Sequence, residues 1–154
     1  MENQIEFEEP QVKILQNGNL KLTADWHVRY GIWWFVVPAG FISDGNSVPP
    51  EFRFIVPQFG RSTLSGIIHD WLYRSGKVFV VNNGQSIVMD ITRRQADIVR
   101  ADIGSWCGVG RWERTAGFVG LRIGGRRTWN QYTAIRKKHH DIDIVRLLGL
   151  SKEK

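Results

Sequence analysis

The sequence has very little cysteine and no long apolar run. Its 154 residues include one cysteine, Cys107. A single cysteine excludes an internal disulfide and a four-cysteine zinc site, and it favours a reducing compartment. The longest apolar run, residues 32–38, is far shorter than the roughly 20 residues that a membrane-spanning helix requires. We therefore expect neither a disulfide-stapled secreted domain nor a transmembrane protein.

The first residues also lack the pattern of a secretory signal. Residues 1–9 are acidic and contain no long apolar segment, unlike a Sec-type signal peptide. The length of the chain is typical of one domain. We expect residues 1–140 to form a single domain and residues 141–154 to form a C-terminal tail.

Aromatic and basic residues are the types that the sequence has in excess. It contains 7 Trp, 8 Phe and 3 Tyr, and its formal net charge is +6. The charge is uneven, since residues 93–140 carry +8 and all other residues together carry −2. A basic segment favours an anionic partner such as nucleic acid, a membrane surface or an acidic protein. The other interpretation is a solvated helical face whose arginine stems cover apolar surface.

The docking interpretation assigns partner binding to exposed side chains of the basic half. Trp112 and Trp129 would be the aromatic anchors of that surface. The basic residues expected to meet the partner are Arg111, Arg114, Arg122, Arg126 and Arg127.

The first part of the chain is predicted to be an antiparallel β-meander over residues 11–37. Apolar and polar residues alternate from Leu20 to Val28, which is typical of a half-buried strand. The preceding Asn17-Gly18 pair predicts a hairpin turn. Residues 32–37 are apolar on both faces and predict a central strand. Residues 38–60 are rich in proline and glycine and are expected to form a structured loop.

The first helix is predicted over residues 62–74. Ser62 or Thr63 can cap its start, and Gly76 lies just past its end. Its apolar stripe has helical spacing and consists of Leu64, Ile67, Ile68, Trp71 and Leu72. A short hairpin around residues 82–84 is expected to follow.

Two or three more helices are predicted in the basic half. Thr92 and Gln95 form the pattern of a capping box at the start of the second helix. A third helix is expected over residues 111–123, ended by Gly124-Gly125, and a further helix over residues 129–140. The apolar stripe of the second helix comprises Ala96, Val99, Ile103, Trp106 and Cys107. A β-meander, a loop and then three to four helices with a short hairpin make the fold class α+β.

The run His69-Asp70-Trp71-Leu72-Tyr73 carries the residue types of a catalytic site. His69 and Tyr73 are four residues apart and share one side of the predicted helix, away from its apolar stripe. We expect that side to be exposed, with His69 as a general base and Asp70 as a metal ligand. The structural alternative is that His69 bonds a neighbouring loop while Tyr73 anchors the sheet.

Asp97 on the second helix is a candidate partner of His69. If the two helices pack antiparallel, its carboxylate reaches the imidazole and fixes the tautomer, as an orienting acid does. Such a dyad requires hydrogen-bond contact and a cleft that gives access to it. The structural alternative is a surface aspartate paired with a nearby arginine.

The loop segment around residues 41–49 offers oxygen ligands. Asp44, Asn46 and Ser47 have side-chain oxygens, and Gly45 permits a sharp turn. Hard cations such as calcium prefer several oxygen ligands. The spacing is not that of an EF-hand, and an Asx turn is the commoner explanation of such a segment.

These residues together resemble the phage and prophage family catalogued as domain of unknown function 1353. The resemblance rests on residues 37–49, on His69-Asp70-Trp71-Leu72-Tyr73 and on residues 94–97, and it spans roughly residues 20–129. It implies a phage origin and a place in the virion or the host cytoplasm. A virion-associated protein of the tail or head-tail machinery, docking to other virion proteins through the basic half, is the first function that it suggests.

The segment His69-Asp70-x-x-Tyr73 is also similar to the helix signature of secreted phospholipase A2 enzymes. The resemblance implies that His69 is the base, Asp70 a calcium ligand, Asp97 the orienting acid and Tyr73 a support of the network. The flanking cysteines of that family are absent here, with Leu72 where one would stand. Its glycine-rich calcium loop is missing as well, unless residues 41–47 replace it.

Several functions therefore remain open from the sequence. One is the virion component, with oligomers possible. A second is a calcium- or metal-assisted hydrolase that attacks a phospholipid or an envelope ester with the His69/Asp97 dyad. Others are nucleic-acid binding or lipid binding through the basic half, and inhibition of host defence.

Overall fold

A computed structural model of the protein describes residues 4–45, 61–82 and 84–138. The described residues form an α+β fold, as the sequence predicts. Its strands are β1 (Ile5–Phe7), β2 (Val12–Ile14), β3 (Leu20–Leu22), β4 (Trp26–Tyr30), β5 (Trp33–Val37), β6 (Ile42–Ser43), β7 (Lys77–Asn82) and β8 (Gln85–Asp90). Its helices are α1 (Thr63–Ser75), α2 (Arg93–Trp106) and α3 (Arg111–Lys138). No described helix is both long enough and apolar enough to cross a membrane.

The strands form two antiparallel sheets. The larger sheet has the order β1-β4-β5-β7-β8, and the smaller one has the order β2-β3-β6. β5 lies in the middle of the larger sheet, as its apolar sequence predicts, with Phe35 opposite Val28 of β4. The predicted hairpin at Asn17-Gly18 joins β2 to β3, and Gly18 has a φ of 84°.

The β part differs from the prediction in two respects. The alternation from Leu20 to Val28 predicts one strand, but the chain bends at residues 23–25 and divides it into β3 and β4, which belong to different sheets. The Asp25 carboxylate stabilises this bend by accepting a hydrogen bond from the Ala39 amide at 2.7 Å. The sequence also did not predict β1, nor β6 inside the expected loop of residues 38–60. Residues 46–60 of that loop and the predicted tail lie outside the described residues.

The core lies between the larger sheet and the first two helices. α1 contributes its predicted apolar stripe, of which Ile67, Ile68, Trp71 and Leu72 are buried. Phe35 and Val37 of β5 face them from the sheet. The predicted ends of α1 are close to the observed ones, and Gly76 ends the helix in the left-handed conformation with a φ of 63°. Ser62 occupies the position before the helix without a capping side-chain hydrogen bond.

The predicted capping box of α2 is confirmed. The Thr92 hydroxyl accepts a hydrogen bond from the backbone N–H of Gln95. The side-chain oxygen of Gln95 accepts one from the backbone N–H of Thr92. Ala96, Val99 and Ile103 are buried as the stripe predicts. Trp106 was wrongly placed in that stripe, because it is 56% exposed; its ring meets that of Phe7 edge-on at the margin of the core.

The basic half forms one long helix where the sequence predicted two. The Gly124-Gly125 pair was expected to end a helix at residue 123, but α3 continues through it and is 28 residues long in total. Gly125 is buried in the middle of α3 and faces Tyr73 of α1. The absence of a side chain there serves a close approach between two helices, and the packing contact outweighs the weak helix propensity of glycine.

Candidate functional site

α1 places His69 and Tyr73 side by side in the interior. The two rings lie one helical turn apart, with their centroids at 4.1 Å. His69 is 4% exposed and Tyr73 is 3% exposed. The expectation that this side of the helix is exposed was therefore wrong. The sequence of α1 alone does not reveal this burial, because α2 and α3 supply the side chains that cover the two rings.

Asp97 of α2 binds both rings. The carboxylate oxygen Oδ1 lies 3.0 Å from His69 Nε2 and 2.7 Å from the Tyr73 hydroxyl, which donates to it. α1 and α2 run antiparallel, because Ser65 lies beside Gly104 while Tyr73 lies beside Asp97. The predicted antiparallel packing and the predicted contact between His69 and Asp97 are therefore both present. The alternative of a surface aspartate does not fit, since Asp97 is fully buried.

α3 supplies a cation to the same carboxylate. Arg122 donates from Nη1 to the second oxygen of Asp97, Oδ2, at 3.3 Å. Arg100, one turn after Asp97 on α2, is close enough for its charge to act on Asp97 and Asp70. A Cβ atom at Gly117 of α3 would lie 2.8 Å from Arg100 Nη1, so Gly117 leaves room for this guanidinium.

Burial and hydrogen bonding together set the charge states of this cluster. Burial lowers the pKa of His69, and the hydrogen bond with Asp97 offsets only part of that effect. Burial by itself would raise the pKa of Asp97, but the hydrogen bonds from His69, Tyr73 and Arg122 outweigh it and lower the pKa. Burial and Asp97 together raise the pKa of Tyr73. At neutral pH the cluster therefore contains a neutral imidazole, a carboxylate and a neutral phenol.

The imidazole is oriented like that of a general base. Because Oδ1 of Asp97 is an acceptor, Nε2 of His69 carries the proton and Nδ1 has the free lone pair. Among the described residues, Nδ1 has no hydrogen-bond partner. A cavity of about 10 Å³ borders the cluster on the side of Asp97 and Arg100, with Ser65 in its wall. That volume corresponds to roughly one water molecule. His69 does not line it, and the cleft expected at the dyad is not present among the described residues.

Asp70, the next residue of α1, lies in a second polar cluster. The Ser43 hydroxyl of β6 donates to Asp70 Oδ2 at 2.5 Å, and the Asp44 carboxyl lies within hydrogen-bonding reach of Asp70. Burial and the neighbouring Asp44 raise the pKa of Asp70 to about 7. The Gly45 amide donates to Ser43 Oγ at 3.0 Å, so Ser43 makes the turn that the sequence assigned to an Asx turn.

The structure thus brings the two predicted metal ligands together. Asp44 and Asp70, with the Ser43 hydroxyl, are the oxygen donors that a hard cation prefers. No group of three or more histidine, cysteine or acidic residues that could hold a metal ion occurs in the described part of the chain. Calcium takes six to eight oxygen ligands, so these residues provide part of such a shell. The predicted ligands Asn46 and Ser47 lie outside the described residues.

The predicted docking residues divide between two sides of α3. Trp112, Arg111, Arg126 and Arg127 are exposed. Trp129 was wrongly expected on this surface, because it is half-buried against the Tyr73 ring. Arg122 is partly exposed but pairs with Asp97. Arg114 is half-buried against α2 at Gly104. The basic half therefore has both an inner set of arginines that holds the helices together and an outer set that faces solvent.

Four residues of the site region were not predicted from the sequence. Ser43 binds Asp70, Arg100 lies between the two acidic clusters, and Gly125 makes room for Tyr73. Arg136 donates to the Tyr73 carbonyl at 2.5 Å and stacks on Trp129 at 4.8 Å. A basic residue at a helix C-terminus satisfies free carbonyls, but the sequence did not show that α3 returns to this end of α1.

Comparison with known proteins gives one family. The model of a family described as "Protein of unknown function (DUF1353)" matches residues 20–121, about two thirds of the chain. Searches of the curated proteins and of the solved structures gave no significant match.

Proposed function

Since this chain belongs to DUF1353, a family of proteins of unknown function, we propose a function from the chemistry of the site: it is a hydrolase in which His69 activates water. The contact that carries the proposal is the 3.0 Å approach of His69 Nε2 to Asp97 Oδ1, with the Tyr73 hydroxyl on the same oxygen. This arrangement holds a neutral imidazole in one tautomer, with the basic nitrogen Nδ1 on the other side of the ring.

The substrate class that we propose is a carboxylic ester of a membrane or cell-envelope lipid. Nδ1 of His69 removes a proton from water while the water oxygen attacks the ester carbonyl carbon. The bond from that carbon to the alkoxide then breaks, and the imidazolium returns its proton to the alkoxide. The products are a carboxylic acid and an alcohol. Asp97 stabilises the imidazolium during this sequence because its carboxylate is already bonded to Nε2.

The burial of the ring sets a condition on this role. His69 is 4% exposed and does not line the cavity beside Asp97, so the reaction requires the packing around the ring to open. The water bonded to Nδ1 must also reach the ester carbonyl carbon, which brings the ester into contact with that water. The segment His69-Asp70-x-x-Tyr73, similar to the phospholipase A2 helix, supports the lipid ester as substrate.

Calcium is a candidate cofactor of this site. Asp44 and Asp70, with Ser43, would hold it, and when bound it would polarise the ester carbonyl. Its binding would displace the proton from the protonated fraction of Asp70, which is about half at pH 7 because the pKa of Asp70 is raised to about 7.

The experiment measures release of fatty acid from phosphatidylglycerol vesicles and of nitrophenol from 4-nitrophenyl butyrate. Each substrate is tested with calcium and with EGTA. We expect hydrolysis by the unmodified protein and a loss of at least about 100-fold for His69→Gln, which is typical of removing a general base. His27→Gln, a change at an exposed histidine of β4, serves as the matched control and is expected to keep full activity.

The pH profile separates catalysis from a purely structural role of the cluster. Because the pKa of His69 is lowered, the rate should rise with pH below about 6.5 and be level at neutral pH. Folded protein without activity on either substrate, in calcium and in EGTA alike, would contradict the proposal. So would a folded His69→Gln variant with unchanged activity.

The virion-associated function predicted from the sequence stays a prediction. Four of its docking residues are exposed on α3, but their exposure does not select a virion protein over another anionic partner.

A further inference from the structure

α3 presents one side to solvent along its whole length. The residues on this side lie three or four positions after one another, with one adjacent pair at the end, which places them in one row of an α-helix. We call this row the outer face of α3; it consists of Trp112, Ala116, Val119, Ile123, Arg126 and Arg127. The opposite side packs on the body of the protein through Leu121, Gly125, Trp129 and Tyr132, which are buried or half-buried.

The first half of the outer face is apolar. Trp112 is 82% exposed, Ile123 is 80% exposed and Val119 is 49% exposed. Single exposed apolar residues are common on soluble proteins, but an aligned row of large ones marks an interaction surface. Eleven positions separate Trp112 from Ile123, so the apolar row is roughly 17 Å long at 1.5 Å per residue.

The second half of the outer face is basic. Arg126 and Arg127 follow Ile123 on the same side, and both are exposed. α3 as a whole has eight basic residues and one acidic residue, Glu113, which gives 8 − 1 = +7. The two halves of this face therefore favour two different contacts, one with an apolar medium and one with anions.

We propose that the outer face of α3 binds the surface of an anionic lipid membrane. The helix lies flat on the membrane, with Trp112, Val119 and Ile123 at the boundary between headgroups and acyl chains. Arg126 and Arg127 contact the lipid phosphates. Amphipathic helices with aromatic and aliphatic residues on one face and arginines beside them bind membranes in this way. The proposal concerns binding alone and holds whether or not the protein hydrolyses lipid.

The composition of the outer face favours lipid over two other partners. Nucleic acid would neutralise the arginines but would leave the apolar row in water, since phosphate contacts do not bury aliphatic side chains. A second copy of α3 would cover the apolar row, but it would bring a helix of charge +7 against an equal charge. An anionic membrane satisfies both halves at once.

The experiment is co-sedimentation with vesicles of ether-linked lipids, which contain no ester for the protein to hydrolyse. Vesicles of phosphatidylcholine with phosphatidylglycerol are compared with vesicles of phosphatidylcholine alone. We expect tighter binding to the anionic vesicles, weakening as salt is added. Ile123→Ala is expected to weaken this binding by about tenfold, because it removes three buried carbon atoms from the contact. Arg126→Gln is expected to weaken it by about fivefold.

Matched controls come from other exposed surfaces. Ile32→Ala changes an isoleucine that is 74% exposed in the turn between β4 and β5. Arg94→Gln changes an exposed arginine of α2. Both variants should bind like the unmodified protein. All four substitutions are on the surface, and circular dichroism checks that each variant is folded.

Three outcomes would overturn the proposal. The first is equal binding to the two kinds of vesicle, or no binding to either. The second is equal binding by Ile123→Ala and Ile32→Ala, which would place the contact elsewhere. The third is a stable dimer, or a complex with duplex DNA tighter than the complex with vesicles, in which Ile123→Ala removes the interaction.

Discussion

Two neighbouring carboxylates of the interior differ in charge because their hydrogen-bond partners respond differently to burial. Asp97 is fully buried, yet its pKa is lowered. Asp70 is less deeply buried by surface area, yet its pKa is raised to about 7. Asp97 accepts hydrogen bonds from a histidine, a tyrosine and an arginine. Asp70 has one serine donor and lies beside a second carboxyl, Asp44. Burial raises the pKa of both carboxyls, and only Asp97 has enough donors to reverse that effect.

The two clusters consequently depend on pH in opposite directions. Asp97 has a lowered folded-state pKa, so its stabilising contribution is present above the unfolded value of 3.8 and is lost as the pH falls through the folded value. Asp70 has a raised folded-state pKa, so the cost of ionising it in the folded protein destabilises the fold as the pH rises from about 4 towards 7. His69, with a lowered pKa, adds a loss of stability below about pH 6.5.

The largest effect is expected for Asp97→Ala. This change leaves His69, Tyr73 and Arg122 without their common acceptor, in a buried site. We expect the free energy of unfolding to fall by about 3–5 kcal/mol, measured by urea denaturation at pH 7. The control Asp90→Ala removes an exposed ion pair with Lys77 and should change it by less than about 1 kcal/mol. Similar losses for the two variants would contradict the role assigned to Asp97.

Asp70→Asn should stabilise the protein at high pH. The asparagine does not ionise, so the variant escapes the destabilisation that Asp70 causes above pH 4. A pKa of about 7 instead of 3.8 corresponds to roughly 4 kcal/mol. Because Asp70 is partly exposed, we expect about half of that, measured as the change between pH 4 and pH 8 in the difference between variant and unmodified protein. A difference independent of pH would mean that Asp70 ionises normally.

Gly125→Ala tests the fit of α3 against the Asp97 cluster. Its Cβ atom would lie 2.7 Å from the Tyr73 hydroxyl, so Tyr73 or α3 must move. We expect a loss of about 1–3 kcal/mol in the free energy of unfolding. The matched control is Gly120→Ala on the same helix, where the Cβ atom meets nothing within 4 Å. It should gain up to about 1 kcal/mol from better helix propensity. Changes of the same sign in both variants would rule out the close contact.

The smallest effect is expected for Arg122→Gln. Arg122 pairs with Asp97, but its side chain is 39% exposed, so solvent screens the attraction between the two charges. We expect the free energy of unfolding to fall by less than about 1 kcal/mol. The unfolding transition should also become more sensitive to acid, since the pKa of Asp97 rises without this donor. Arg126→Gln, an exposed change on the same helix, should alter neither property. Equal acid sensitivity of the two variants would remove Arg122 from the cluster.

The sequence predicted the centre of the site because its signals are local. The spacing of His69 and Tyr73 within one helix, and the capping box that fixes where α2 begins, suffice to bring Asp97 opposite His69 once the helices pack antiparallel. The pairing of Asp70 with Asp44 also follows from residues that the sequence marked as oxygen donors.

The remainder depends on contacts between distant parts of the chain. An arginine that binds a buried carboxylate, such as Arg122, has the same local pattern as an exposed one, such as Arg126. A glycine pair predicts a helix end unless another helix passes close to it. Here α1 passes close to Gly125 and places Tyr73 against it. Likewise, the alternation from Leu20 to Val28 continues through the bend that Asp25 stabilises, because alternation does not show which sheet a residue joins.

The interior position of Asp97 has a consequence for how the protein folds. Its hydrogen-bond partners come from positions 28, 24 and 25 residues away, on two other helices. A partly folded chain in which α1 and α2 have docked without α3 leaves this carboxylate in the interior without its arginine. Such an intermediate is penalised, so the three helices should acquire protection from amide hydrogen exchange together, as one cooperative unit.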